Sequence, residues 1–249
     1  MKIISVYSSK GGVGKSVTAV NLSYLLSKRG FKVVLWDIDP QGASSFYLRI
    51  KQKLKGKVEK VITEFERFDL NIKESDYENL YVLPSDLKLK DIDLVIEKLK
   101  KSSKKVEKTL KKGVINPDFI IIDSPPGFTN INSLIAEISD IVLVPVIPTV
   151  LSVRSLKMLK NFFGMENINT NKIYPFFSMA DLRKNIHKEI LEKYSEKLRI
   201  KSIIPYSSEI EKMGVYLQPT GVYGRSSYIR DIYEKFADEV VEICKIIKK

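Results

Sequence analysis

The chain has 249 residues, 44% hydrophobic and 29% charged, and 42 Lys and Arg against 30 Asp and Glu leave a net charge of +12. This is the composition of a globular protein with ample chain for a core, not of a disordered one, and the positive balance makes polyanions (nucleic acid or anionic lipid) the expected kind of partner. A lone cysteine, Cys244, excludes a disulfide framework or a Cys-pair metal site within one chain, and the absence of a long apolar run or a secretory leader in MKIISVYSSKGG leads to a cytosolic expectation.

In chain order, short apolar β-like runs alternate with helical periods, the pattern of a parallel sheet wrapped by helices. Ile3–Ser9 reads as a buried first strand. SVTAVNLSYLLSKRG follows as a helix with Ala19, Leu22, Leu25 and Leu26 on one face and Gly30 at its stop. Lys32–Ile38 is the next strand, closed by a turn built from Asp39, Pro40 and Gly42. Further strands are predicted at Asn79–Ser85, Asp118–Asp123, Asp140–Pro148 and Lys172–Ser178. The last helix is expected from about Tyr228 to Ile247, with Ile229, Ile232, Phe236, Val240, Ile243 and Ile247 on one stripe. No repeat or linker divides the chain, so one domain over residues 1–249 is expected.

The most informative residues lie between the first strand and the first helix: Ser9, Lys10, Gly11, Gly12, Val13, Gly14, Lys15 and Ser16. Glycines there let successive backbone N–H groups converge on phosphate oxygens, and the helix N-terminus adds its positive dipole end. In such a loop Lys15 reaches the β- and γ-phosphates and the Ser16 hydroxyl ligates Mg²⁺. Ser9 replaces the first Gly of the common G-x-x-x-x-G-K-[ST] form, and Lys10 is an additional lysine. A glycine-rich turn with two incidental lysines would look similar in isolation, but the strand and helix flanks favour a phosphate loop.

Acid partners stand at the ends of later strands. Asp123 ends DFIIID and is placed to hold the Mg²⁺ hydration shell, while Pro125, Pro126 and Gly127 form a turn suited to sensing a γ-phosphate. Asp37 and Asp39 end the second strand; one is expected to face the site and the other to support the loop. Each alone would pass as a turn or cap residue, but three at strand C-terminal ends beside a phosphate loop mark the edge where parallel sheets bind ligands.

With KGGVGKS, LWDIDPQG and IIIDSPPG in this order, the chain resembles the ParA/MinD family of deviant Walker-A ATPases, nearest its ParA-type (Soj-like) partition branch. VLPSD, LVPVIPTVLSVRSL, FSMADLRKNIHKEIL and IPYSSEIEKM extend the likeness over almost the whole chain. The resemblance implies a P-loop NTPase fold, a mostly parallel twisted sheet with helices on both faces. It implies Mg²⁺-dependent hydrolysis of ATP to ADP and phosphate, slow until a partner stimulates it. Lys10 would reach across an ATP-sandwich homodimer to the opposite subunit's phosphates, and Lys10 through Val17 would line the nucleotide. Asp39 would orient the attacking water, Asp39 and Asp123 would reach the Mg²⁺ through water beside Ser16, and Met179 and Pro205 would pack the adenine.

The implied partners are non-specific DNA, bound by the ATP-loaded dimer, and a ParB-like or other adaptor that stimulates the ATPase. The implied place is the cytoplasm at the nucleoid, without stable membrane association. Three residues depart from the family pattern: Val17 where a Thr is frequent, Ser178 where Asn or Thr is frequent, and Tyr206 where many partition ATPases carry an Arg associated with DNA. The alternative is a MinD-like positioning ATPase that cycles on membranes, which needs a detachable basic amphipathic tail.

Two basic regions are candidates for the DNA surface. Lys88–Lys112 holds ten lysines against Asp91, Asp93, Glu97 and Glu107, half of the chain's excess, on one or two amphipathic helices with Ile92, Val95, Ile96, Leu99, Val106 and Leu110 inward. The C-terminal third adds Arg183, Lys184, Lys188, Arg199, Lys201, Arg225 and Arg230. With no groove-reading motif ahead of the loop, DNA contact is expected through phosphates and without sequence preference. His187, alone of its kind, is set aside as a metal ligand; Cys244 and Trp36 are read as packing residues.

Overall fold

The computed structural model describes residues 1–98, 103–112, 115–224 and 227–247. The chain runs β1 (Lys2–Val6), α1 (Lys15–Lys28), β2 (Val33–Asp37), α2 (Ala43–Tyr47), α3 (Val58–Thr63), α4 (Phe65–Asp69), β3 (Lys73–Glu74) and β4 (Leu80–Leu83). Then come α5 (Ile92–Lys98), α6 (Ser103–Lys112), β5 (Phe119–Asp123), α7 (Asn130–Ile138), β6 (Ile141–Val146), α8 (Val150–Met165) and β7 (Ile173–Phe177). The C-terminal part holds α9 (Asn185–Tyr194), the short α10 (Ser208–Glu211), α11 (Met213–Tyr216) and α12 (Thr220–Tyr223), and α13 (Ser227–Ile246). Of the residues singled out above, Leu99 and Arg225 lie outside the described residues.

The strands form one 7-stranded sheet in the order β3-β4-β2-β5-β1-β6-β7, parallel except for the β3–β4 pair. Every strand expected from the apolar runs is present, each shorter than its run because flanking residues turn off to build loops at the sheet edge. The two-residue edge strand β3 and the helices α2–α4 carry no clear periodicity in the sequence.

The pleat sends alternate residues to opposite faces, and each face has its own helices. Ile4, Val6, Val33, Leu35 and Ile121 pack with Ala19, Leu22 and Leu26 of α1 and Phe236 and Val240 of α13. Ile3, Val34, Trp36, Ile120 and Ile122 face α3 and α5–α7 through Val61, Ile92, Val106 and Leu134. Val142, Val144 and Phe177, at the β6–β7 side, meet Leu159 and Phe163 of α8 and Ile190 of α9. Because β1, β2, β5, β6 and β7 run parallel, their C-terminal ends share one edge of the sheet, and the residues that follow them meet there.

Candidate nucleotide site

At that edge the segment after β1 turns into α1. Gly12 (φ 68°) and Gly14 (φ 91°) occupy the left-handed region, which a side chain disfavours, and Gly14 is the residue preceding the helix. Among the described residues the backbone N–H groups of Gly11, Gly12, Val13 and Gly14 donate to no protein acceptor. The first turn of α1 has no acidic residue to quench its dipole. The result is a cluster of free donors with a partial positive charge behind them. Lys15 is buried, and its Nζ donates to the Lys10 carbonyl at 3.2 Å, bridging the loop. Burial pulls the Lys15 ammonium below its ordinary value, and Asp123 and Asp39 oppose that by stabilising its charge.

The carboxylates diverge in role. Asp37 and Asp123 are register partners on β2 and β5 and both are fully buried. Asp123 Oδ2 accepts from Ser44 Oγ at 2.7 Å, and the nearby Ser16 hydroxyl helps stabilise this carboxylate's charge. Asp37 Oδ2 accepts from Ser45 N and Ser45 Oγ, both at 2.7 Å. Burial raises both carboxyls, with Asp123's charge adding to the shift of Asp37. Among the described residues the remaining oxygen of each, Oδ1, has no hydrogen-bond partner although it is buried. Asp39 instead lines the open cavity, in a turn closed by Gly42 N donating to Asp39 O at 2.9 Å. Of the two candidates at the end of β2, Asp39 is thus the one facing the site, while Asp37 anchors the start of α2.

A divalent cation fits this donor set. An unpartnered buried carboxylate oxygen, a serine hydroxyl beside the same carboxylate and the half-buried Asp39 that lines the cavity are hard oxygen donors. Among the described residues no group of three acidic, His or Cys side chains could enclose an ion, so a bound cation would take most of its ligands from water and phosphate, as Mg²⁺ does.

The turn after β5 is tied to the phosphate loop. Gly127 N donates to Ser9 O at 3.1 Å, Tyr7 Oη donates to Gly127 O at 2.6 Å, and Asn132 Nδ2 donates to the carbonyls of Pro125 and Gly127. Opposite it, a cavity of about 580 Å³ opens from the glycines and Lys15, Ser16 and Val17, past Asp39 and Pro126, to Ser178, Met179, Ile204, Pro205, Ile210 and Glu211. Its far wall is built by the chain leaving β7: Met179 takes φ 54°, Ala180 N donates to Ile204 O at 3.1 Å, and Ala180 pairs with Pro205 in a short parallel bridge. Met179 and Pro205 therefore share one cavity with the phosphate loop. Lys10 and Val13 do not line that cavity and sit beside the α8 side of the loop.

Several residues here escaped sequence reasoning. Ser44, Ser45 and Ser85 hold the acids: Ser85 N donates to Ser45 Oγ at 3.0 Å, and Ser85 Oγ donates to Asp39 O at 2.5 Å. The signal available was their closeness to DPQG and VLPSD, but serines in a turn do not announce a partner. His187, expected in a polar helix, is buried and its Nδ1 accepts from Asp181 N at 3.0 Å, a structural bond.

A parallel sheet with a glycine loop at a helix N-terminus and two strand-end aspartates at its C-terminal edge defines a P-loop nucleotide-binding α/β protein. The AAA domain family AAA_31 matches residues 1–174. The sporulation initiation inhibitor protein Soj of Bacillus subtilis is 31% identical over 96% of this chain and 98% of its own length. The chain belongs to the ParA/MinD family of deviant Walker-A ATPases, beside its Soj and ParA members. A plasmid partition protein of Borrelia burgdorferi, solved bound to AMPPNP, superposes with a TM-score of 0.78 at 26% identity, covering 97% of this chain and 98% of that one. The Pyrococcus furiosus cell division ATPase MinD shares the fold, with a TM-score of 0.74 at 23% identity over 97% of this chain and 99% of that one.

Proposed function

We propose that this protein is an ATP-driven switch of the partition type, one domain over residues 1–249, that dimerises on Mg²⁺·ATP, holds DNA without sequence preference in that state, and positions a cargo with a ParB-like adaptor. The observation that carries the reading is the single cavity in which the phosphate loop, Asp39 and the Met179–Pro205 wall meet. AMPPNP in the Borrelia relative supports a nucleoside triphosphate as its occupant.

On this reading the free N–H groups of Gly11–Gly14 and the buried Lys15 bind the phosphates, Ser16 and Asp123 hold the hydrated Mg²⁺, and Asp39 orients the attacking water. The ion supplies charge neutralisation at the phosphates. Lys10, outside the cavity of its own chain, is available to the phosphates of a second copy, so ATP favours the dimer. Loss of the γ-phosphate removes what holds the Pro125–Gly127 turn and the Asp39 turn, and the dimer releases. For the membrane-cycling alternative, the apolar stripe of α13 is committed to the core through Ile229, Phe236 and Val240, and among the described residues no helix is long and apolar enough to cross a membrane.

Sedimentation and phosphate release together test the reading. Lys10→Ala is expected to stay monomeric with a non-hydrolysable ATP analogue, and Asp39→Ala to dimerise on ATP with hydrolysis at least about 10-fold slower. Wild-type hydrolysis by Asp39→Ala, or a wild-type protein that stays monomeric with the analogue, overturns it.

A further inference from the structure

We infer that the loop at residues 51–57, which neither basic region above includes, is a nucleic-acid phosphate-binding surface joined to the nucleotide switch. The inference rests on the DNA-binding part of the proposed function.

The sequence Lys51-Gln52-Lys53-Leu54-Lys55-Gly56-Lys57 puts a lysine at every second position and no acid among them. Leu54 is buried and the four lysines are exposed, so the apolar residue anchors a segment whose charges face water. The fold then adds to the charge. Lys73 from β3 donates through Nζ to Lys51 O at 2.6 Å, and Lys88 Nζ donates to Leu54 O at 3.2 Å. Lys73 is held below the ordinary lysine range first by burial and then by the charges of Lys51, Lys55 and Lys53.

The opposing charge is small. Asp86 is the acid nearest the loop's backbone, accepting from Leu54 N at 2.7 Å and Lys88 N at 2.9 Å, and its ion pair is with Lys88. Among the described residues no carboxylate lies within ion-pair distance of Lys51, Lys53, Lys55 or Lys57, and Asp86 feels Lys53 only as a longer-range charge, after Lys88. The C-terminal cations differ: Arg183 is locked bidentately to Asp181, Arg199 lies over the Tyr174 ring and bonds its hydroxyl, and Lys201 pairs with Glu196. Like charges crowded without partners are stabilised by a polyanion that releases its own counterions on binding.

The loop is also fixed in place. Lys55 N donates to Asn71 Oδ1 at 2.6 Å and Asn71 Nδ2 returns a bond to Lys55 O at 3.1 Å. Gln52 Nε2 donates to Gly42 O at 2.8 Å, and Gly42 closes the turn that carries Asp39. A change in the Asp39 turn is therefore felt directly by the lysine loop. DNA is favoured over a lipid surface because Leu54, the loop's apolar residue, is buried, and the rest of residues 51–57 is exposed lysine, glutamine and glycine with nothing apolar to insert.

The test is fluorescence anisotropy with a random 30-bp duplex across a salt series, with a non-hydrolysable ATP analogue, on wild type, Lys51→Glu/Lys53→Glu/Lys55→Glu and the matching Lys→Gln triple variant. The three lysine side chains make none of the loop's fixing bonds, which run through its backbone and the Gln52 amide, so nucleotide binding and melting temperature are expected to stay at wild-type values. The expected result is at least about tenfold weaker DNA binding and a log–log salt slope shallower by roughly 2–3 in both triple variants. Gln52→Ala is expected to dimerise on the analogue as wild type does, but with a gain in DNA affinity from ADP to the analogue at least about threefold smaller than that of wild type. DNA affinity and slope unchanged in the triple variants, while wild type binds, overturns this surface and leaves the proposed function standing. No DNA binding by wild type overturns the DNA reading itself. Loss of binding to vesicles of anionic lipid with DNA binding intact replaces DNA by a membrane. A nucleotide dependence in Gln52→Ala equal to that of wild type overturns the coupling.

Discussion

The two ends of the nucleotide cavity are made in different ways. The phosphate end comes from one continuous segment whose conformation is dictated locally, by left-handed glycines, a buried lysine and a helix N-terminus. The far end, where the proposed function places the base, is assembled from three separate stretches around Met179, Ile204–Pro205 and Ile210–Glu211, with Ile204 buried, Met179, Pro205 and Ile210 half-buried and the first two stretches aligned by the bridge beyond β7. Backbone N–H groups and a helix dipole cannot be moved without rebuilding the loop, whereas an apolar wall tolerates change in one of its members. Disruption should therefore cost most at the phosphate end and least at the base end.

The largest effect is expected where the two ends touch. A Cβ on Gly14 would stand 2.9 Å from Ser178 Oγ, and the backbone there has φ +91°, so Gly14→Ala meets both strain and a clash. Strain of this kind costs on the order of 1–3 kcal/mol, and here it falls on the residue that aims the free N–H groups. Calorimetric titration with Mg²⁺·ATP should find affinity lowered at least about 100-fold. Adding Ser178→Gly relieves the clash but not the strain, so only part of the affinity should return. Full recovery would show that the two ends are one packed unit and not a local loop against a tertiary wall.

A middle-sized effect is expected in the carboxylates beneath the loop. Asp37 is pushed up to about 8 and Asp123 to about 6, both mainly by burial, against an ordinary value of 3.8. In the folded protein each keeps its proton at a pH where the unfolded chain has lost it, so raising the pH favours unfolding. The stability these two groups contribute is complete below about pH 4 and drains away as the pH climbs through about 6 and on to about 8. Asp37→Asn keeps an acceptor for the two Ser45 bonds, fills the unpartnered Oδ1 position with a donor and removes one buried charge. Nucleotide-free Asp37→Asn should lose less melting temperature between pH 6 and pH 8 than wild type, by several degrees. Equal slopes would place the charge repulsion elsewhere.

The same contrast explains what the sequence disclosed. A local structure leaves a local trace: Gly11–Ser16 between a strand and a helix, Asp123 at the end of an apolar run, and the Asp39–Gly42 turn were all legible because a few adjacent residues suffice to specify each. The sheet was legible for the same reason, since fully buried parallel strands such as IIID and VVLW read as unbroken apolar runs. Ser44, Ser45 and Ser85 were hidden because a serine acquires its meaning from a carboxylate that only folding brings to it. Met179 and Pro205 came from the family likeness and not from any pattern, and Ile210 and Glu211, in the same wall, left none either. The lysines at 51–57 were counted in the net charge, yet their lack of acidic partners exists only in three dimensions.

The smallest effect belongs to the base end. Met179 and Pro205 offer flat apolar contact to whatever fills the cavity beyond Ser16 and Val17, and both are only half-buried without it. Truncating Met179 removes some tens of square ångströms of contact, worth about 1 kcal/mol at about 25 cal/mol per Å². That contact is the same before and during phosphate transfer, so its loss weakens binding uniformly. Met179→Ala should raise KM for ATP and Kd for ADP by the same factor, about 3- to 10-fold, and leave kcat within about twofold. A fall in kcat at constant KM would mean that the base wall sets the geometry of the phosphates, because a group that only holds the base cannot distinguish the ground state from the transition state.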